Sequence, residues 1–284
     1  MRNTPKGLSI LGIFIVIFTI PLTAFAATVG NPSGTDIPKG SGVFSLKQDK
    51  NISLKAAVDF DYIFNRDLHA NAAVRTKIKN GTWSMVKISY GMLNDRIEPY
   101  LAFGVVSLKA KWNEAGTDVE LKSDNTLGWG IGPRALLYSL QKPKVNFIGN
   151  VMYRMANLDP SEGSVNGSKV GLDNSKSKFL IREWQLALLA STEIDIGGEG
   201  SDREEILGIS KLVPYAGIKY SDINGRLRLQ RSNATFYNPG TIEAEHNFGI
   251  FAGCDILGTG SLSLNIEGRF IDETALTGGL ALLF

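Results

Sequence analysis

The chain has 284 residues, 43% of them hydrophobic, with 30 Lys+Arg against 28 Asp+Glu and a single cysteine. That length supports a substantial core. The lone Cys254 excludes an intramolecular disulfide and a thiolate metal cluster, and the near-balance of charge excludes the basic surface that nucleic acid requires.

The chain opens with Arg2 and Lys6 and no acid, followed by an apolar run from Leu8 to Ile20 that Pro21 breaks. Ala24-Phe25-Ala26 then has the small-x-small pattern read by a signal peptidase. This order predicts a secretory signal peptide over residues 1–26. The run is short of the ~20 apolar residues a spanning helix needs. Cleavage after Ala26 removes two cations and no acid, leaving 28 of each sign, and places no cysteine at the new N-terminus for lipid attachment. Residues 27–50 follow as an N-terminal, periplasmic segment.

From residue 51 onward the pattern is period two. Over 52–64, Ile52, Leu54, Ala56, Val58, Phe60, Tyr62 and Phe64 take one face; Ser53, Lys55, Ala57, Asp59 and Asp61 take the other. Such alternation is a strand with one greasy and one wet face. Val86, Ile88, Tyr90 and Met92 continue it in a second strand, and Ile97, Leu101, Phe103 and Val105 in a third that begins with Pro99 near its start. Residues 127–139 oppose Leu127, Trp129 and Ile131 to Gly128, Gly130, Gly132 and Arg134, and 145–155 oppose Val145, Phe147, Val151, Tyr153 and Met155 to Asn146, Asn150 and Arg154. Strand six spans 179–194, with Trp184, Leu186, Leu188 and Ala190 opposite Glu183, Gln185, Ala187 and Ser191. Strands seven and eight follow at 211–221 and 246–256. Leu262, Leu264, Ile266 and Phe270 alternate with Ser263, Asn265, Glu267 and Arg269 in the ninth, and 274–284 is the tenth.

The links alternate in length. Residues 93–95, 140–144 and 257–261 are short; 65–81, 112–126, 157–177 and 222–244 are long and polar, and are read as loops. The 195–205 link is long and acidic where a short turn belongs. Short turns at one end and long loops at the other are the asymmetry of a transmembrane barrel. The reading is all-β: an antiparallel up-and-down transmembrane barrel over 51–284 with about ten strands, twelve if 42–47 adds one, eight at the lower bound.

The last strand places Leu276, Leu280, Leu282 and Phe284 in one register. A C-terminal Phe preceded by alternating apolar residues resembles the ending of small porin-like outer-membrane β-barrels, and 261–274 resembles their last hairpin. The resemblance implies an outer-membrane location, chaperone escort through the periplasm, and recognition of Leu280, Leu282 and Phe284 by the barrel-assembly machinery. Outer-membrane lipid is the implied surrounding, and the monomer the implied state.

The predicted inward set is mixed in charge: Lys55, Asp59, Asp61, Lys87, Glu98, Arg134, Arg154, Glu183, Lys219, Asp255, Glu267 and Arg269. It reads either as a narrow conduit that selects solutes or as a lumen plugged by ion pairs, since buried charge must be paired. The small strand number favours the plug, because open channels come with about sixteen strands. The glycine row 128, 130 and 132 would leave a channel wall open, or mark close backbone approach. The two histidines, His69 beside Asp67 and His246, are the only candidates for a rim hydrolase resembling omptins or lipid A deacylases; no catalytic set and no cofactor is assigned. Glu193, Asp195, Glu199, Asp202, Glu204 and Glu205 lack EF-hand spacing and read as a solvated turn rather than a calcium site. Trp83, Trp129, Tyr138, Tyr153, Trp184 and Tyr220 are candidates for interfacial girdles. Cys254 reads as inert and lipid-facing. The functional expectation is a non-enzymatic barrel with a structural or narrow small-solute, porin-like role. The alternative is a surface-binding, adhesin-like barrel acting through its long loops.

Overall fold

The computed structural model describes residues 53–70, 74–93, 95–114, 116–172, 177–196, 209–231, 234–258 and 262–283. The signal peptide, the 27–50 segment, the extra strand at 42–47, most of the acidic link and Phe284 lie outside the described residues.

Ten long strands close on themselves in sequence order. They are β1 (Ser53–Ala70), β2 (Val74–Gly91), β3 (Ile97–Glu114), β5 (Thr126–Leu140), β6 (Val145–Leu158), β9 (Lys178–Thr192), β11 (Ile209–Arg231), β13 (Phe248–Gly258), β14 (Leu262–Phe270) and β15 (Glu273–Leu283). Each pairs antiparallel with the next, and β1 pairs β15 from Lys55↔Leu283 to Arg66↔Glu273, so the barrel has no free edge there. The even number brings Ser53 and Leu283 to the same end, here called the terminal end. Antiparallel closure satisfies the backbone of every wall strand within the wall, the condition for crossing hydrocarbon.

The segments expected to be long loops at the far end are mostly strand. β4 (Thr117–Ser123) continues β5 upward along β3, β7 (Pro160–Val165) continues β6 and pairs β4, and β8 (Ser168–Val170) returns on β7. β12 (Ala234–Ala244) continues β13 and bridges β11 to β1 through Leu68↔Ala244 and Ala70↔Ile242. It therefore passes above the short β14–β15 hairpin. β10 (Ile194–Asp195) lies at the terminal end on β11. The loop reading failed because these stretches carry the alternation with its polarity reversed. In Thr76-Lys77-Ile78-Lys79, Leu108-Lys109-Ala110-Lys111-Trp112 and Val119-Glu120-Leu121-Lys122 the apolar residue is buried inside the wall and the charged one faces out.

The reversal divides the barrel by height. Toward the terminal end, Val86, Ile88, Leu101, Phe103, Ile131, Leu186, Leu188, Ile250 and Ile266 are exposed on the outside while the inside is charged. In the far half, Leu68, Ile78, Trp112, Leu121, Leu158, Phe179, Ile181, Leu227 and Ile242 form one buried apolar cluster inside, under a charged exterior. Two irregularities mark the boundary. β1 shifts register against β15 between Ile63 and Asn65, and β2 against β3 between Lys79 and Thr82, where Asn80 has φ 52°. A bulge exchanges the inner and outer faces beyond it, and this one turns Arg66 inward.

Candidate functional site

The charged interior is the only dense cluster of chemistry-bearing groups among the described residues of the barrel wall, and it is built from strands that alternate as period two requires. At the terminal end, Lys55 Nζ donates to Glu98 Oε2 at 2.6 Å and Arg134 Nη2 donates to the same oxygen at 2.5 Å. Ser53 donates to Asp95 beside them. One layer up, Lys87 Nζ lies 2.7 Å from Asp59, and Tyr100 OH donates to Asn150 at 3.1 Å. On the opposite wall Tyr215 OH donates to Glu267 at 3.0 Å and receives Asn265 Nδ2 at 2.9 Å, while Asn265 also reaches Asp255.

At mid-height the separate pairs merge into a network of four cations and four anions, all eight side chains almost fully buried. Asp61 accepts from Arg154 at 2.8 Å and from Arg269. Glu183 accepts from Arg154 on one oxygen and from Arg66, at 2.6 Å, on the other; Ser221 joins the second oxygen. Glu273 gathers Arg66, Arg269 and Lys219, and Lys219 also lies 2.7 Å from Asp272. An isolated ion here would cost several kcal/mol of lost hydration, so the arrangement persists only because every charge is met by an opposite one.

All twelve charged residues expected in the lumen, from Lys55 to Arg269, lie in these layers with their charged groups inside. Three members of the central network escaped: Arg66, Asp272 and Glu273. Arg66 fell in a presumed loop, and the bulge that turns it inward leaves no mark in hydropathy. Asp272 and Glu273 sit at the tip of the last hairpin, a turn by composition, yet the tip folds beneath β12 and both carboxylates are buried.

Above the ions the interior becomes oily. Trp83 is buried against Arg154, whose guanidinium carbon is 4.3 Å from the ring centroid, and the apolar cluster continues from Trp83 through Val106, Leu108 and Phe179 to the far end. Trp83 is therefore an inward roof and not part of a girdle. The glycine row lines no open wall. A Cβ at Gly128 would meet Val106 and Trp83, at Gly130 it would meet Arg154, and at Gly132 the Tyr100 ring. These glycines admit close packing of large side chains opposite them.

Outside, the remaining aromatics do form belts. Trp129, Tyr153 and Trp184 adjoin in turn, with centroids 5.6 and 4.8 Å apart, and Tyr220 meets Phe248 at 5.2 Å. Tyr138 and Phe147 pair near the terminal end. From Trp129 to Tyr138, a strand rising about 3.3 Å per residue and tilted about 40° climbs roughly 23 Å, close to the apolar height of a barrel membrane band. Leu280 and Leu282 point outward on β15, opposite Leu264 and Leu262. Cys254 also faces outward, half-buried beside Ile266.

The histidines are apart. His69 Nε2 lies 3.5 Å from Glu243, Asp67 pairs with Lys77 at 3.0 Å, and His246 is exposed at the β12–β13 junction, so the Asp67–His69 pairing is not made. Of the acidic link, Glu193 and Asp195 are described, and both face Lys211, at 3.0 and 3.9 Å. In the far extension, partial burial works to raise the Glu120 carboxyl, but hydrogen bonds and charge from Lys109 and Lys111 hold it below its ordinary value.

No protein-family model matches the sequence, and no curated relative matches it. Among solved structures, the translocator domain of autotransporter NalP from Neisseria meningitidis is similar at 9% identity, covering 84% of this chain and 89% of that one, with a TM-score of 0.40. The transport unit of the autotransporter AIDA-I from Escherichia coli is similar at 9% identity over 85% of this chain and 93% of that one, with a TM-score of 0.36.

Proposed function

We propose that this chain is a monomeric outer-membrane β-barrel whose interior is filled, and that it works as a membrane-held platform presenting a stiff strand collar at the cell surface. The observation that carries this reading is the reversal of polarity along the barrel axis. Apolar residues face out around an ionic interior over one half, and charged residues face out around an apolar interior over the other. A lipid-facing band explains the first half and water explains the second.

The signal peptide at 1–26 supplies the export route, and the terminal end, opposite the charged collar, faces the periplasm. Leu280, Leu282 and Phe284 address the chain to the assembly machinery after periplasmic chaperones deliver it. The charge network roofed by the Trp83–Leu108–Phe179 cluster supports a structural or surface-binding role over solute passage. No catalytic role is assigned: Asp67 is engaged by Lys77, and His69 meets only the exposed Glu243 on the outer face.

Planar-bilayer recording of the refolded protein tests the reading. Silence at moderate voltage is the expected result, and a steady single-channel current would overturn the filled-barrel claim. Solubility without detergent, together with gel migration that heating leaves unchanged, would overturn the membrane assignment itself.

A further inference from the structure

The outer face just above the aromatic belt carries a ladder of cations on β9 and β11. Across this pair Trp184 stands opposite Asp222, Arg182 opposite Asn224, Leu180 opposite Arg226 and Lys178 opposite Arg228. Arg182, Arg226 and Arg228 are all exposed, and all share the outward face with Trp184. Opposed and diagonal neighbours on one face of a sheet are roughly 5–8 Å apart, and like charges placed so destabilise the pairing. Lys178 is neutralised by Asp159 at 2.6 Å. Among the described residues no acid pairs with Arg182, Arg226 or Arg228. The nearby acids are otherwise placed: Asp222 sits lower, beside Trp184 and in reach of Asn247, and Glu243 lies opposite Asn224 from β12 but faces His69.

Resting on the membrane reading, the geometry points to a binding site for a phosphorylated lipid headgroup of the outer leaflet on the Arg182–Arg226–Arg228 ladder. Trp184, 57% exposed and 4.8 Å from the Tyr153 ring, gives the acyl-side floor; aromatic rings of this kind settle at headgroup depth. One to three pleats higher the guanidinium groups meet the phosphate plane, where their planar forks grip phosphate oxygens two at a time. The anion supplies the missing counter-charge, removing the repulsion that the bare ladder carries. A second cluster, Lys77, Lys109, Lys111 and Lys122 on β2–β4, lies on the same far half, but Asp67, Glu120 and Glu162 already engage it. It serves as the internal control.

The test uses the full protein refolded in detergent, mixed with bisphosphorylated lipid A or its dephosphorylated form, with bound lipid counted after gel filtration. The wild-type chain is expected to retain the phosphorylated lipid, and the triple variant Arg182→Gln/Arg226→Gln/Arg228→Gln to retain on the order of tenfold less. Lys77→Gln/Lys111→Gln should retain as much as wild type. The triple Arg→Lys variant, which keeps the charge and loses the fork, should fall between. Equal retention of both lipids, or equal loss in both clusters, overturns the site. Complete displacement by millimolar inorganic phosphate overturns the lipid as its source. Heat-modifiable migration of every variant shows that the barrel has formed, so a lipid-indifferent but inserted protein defeats this inference alone, whereas a protein soluble without detergent defeats the membrane reading.

Discussion

Glu183 takes Arg66 on one oxygen and Arg154 on the other, across strands that are far apart in sequence. Removing its charge leaves two buried guanidinium groups short of a partner. Breaking a buried pair from one side costs about 3–5 kcal/mol, so Glu183→Gln should lower the stability measured by urea unfolding in lipid vesicles by that order, while Glu162→Gln, at a solvated 3.9 Å contact, should change it by less than about 1 kcal/mol. Ile271 shows the opposite kind of residue. It is 67% exposed, stands at φ 84° between β14 and β15, and is β-branched. That backbone region penalises an L residue by about 1–2 kcal/mol. It is held there because the tip must turn Asp272 and Glu273 into the barrel toward Lys219. Ile271→Asn, which tolerates that region, should raise stability by up to about 1 kcal/mol in the same assay.

At the scale of the strand, one element serves two solvents. β9 presents Leu186 and Leu188 to the outside below Trp184 and Arg182 and Lys178 above it. A charge at mid-band is costly in hydrocarbon, so Leu188→Arg should destabilise the barrel by about 2–4 kcal/mol in vesicles. β6 ends on Leu158, fully buried in the far-half core. Leu158→Ala leaves a cavity and should cost about 2–5 kcal/mol, with lost protection in hydrogen exchange concentrated in β4, β7 and β12, not in the lipid-facing half. The β7–β8 hairpin was within reach of local reading. Asn166-Gly167, with φ 47° and 78°, is the two-residue turn that favours tight hairpins. Composition reads it as part of a long polar link because Ser, Gly, Glu162 and Lys169 surround it, which is also what a strand with a wet outer face looks like. Lys77 and Lys79 in β2, and Glu120 and Lys122 in β4, disguise strand as loop in the same way.

On the scale of the molecule, the closure is made twice: by β15 against β1 near the terminal end and by β12 against β1 above the last hairpin. The upper closure lets the wall rise past the short β14–β15 hairpin and seals the ionic network under apolar side chains. The strand bounds near the terminal end, the count of ten and the lumen charges from Asp59 to Arg269 were all readable in advance, because each strand's alternation is a local property of pleated chain in two media. The inner face of the far half was not, and neither was the partnership of any particular pair of charges.

Period-two alternation alone is enough to give a barrel with an apolar outer face and a mixed-charge interior over its terminal half. The eight-ion network, the membership of Arg66, Asp272 and Glu273 in it, and the Trp83 roof come from how the strands pair. Hydropathy reports the side chain and its neighbours along the strand. Face exchange at a bulge, and the meeting of Arg66 with Glu183 and Glu273, depend on register between strands that only closure of the sheet sets.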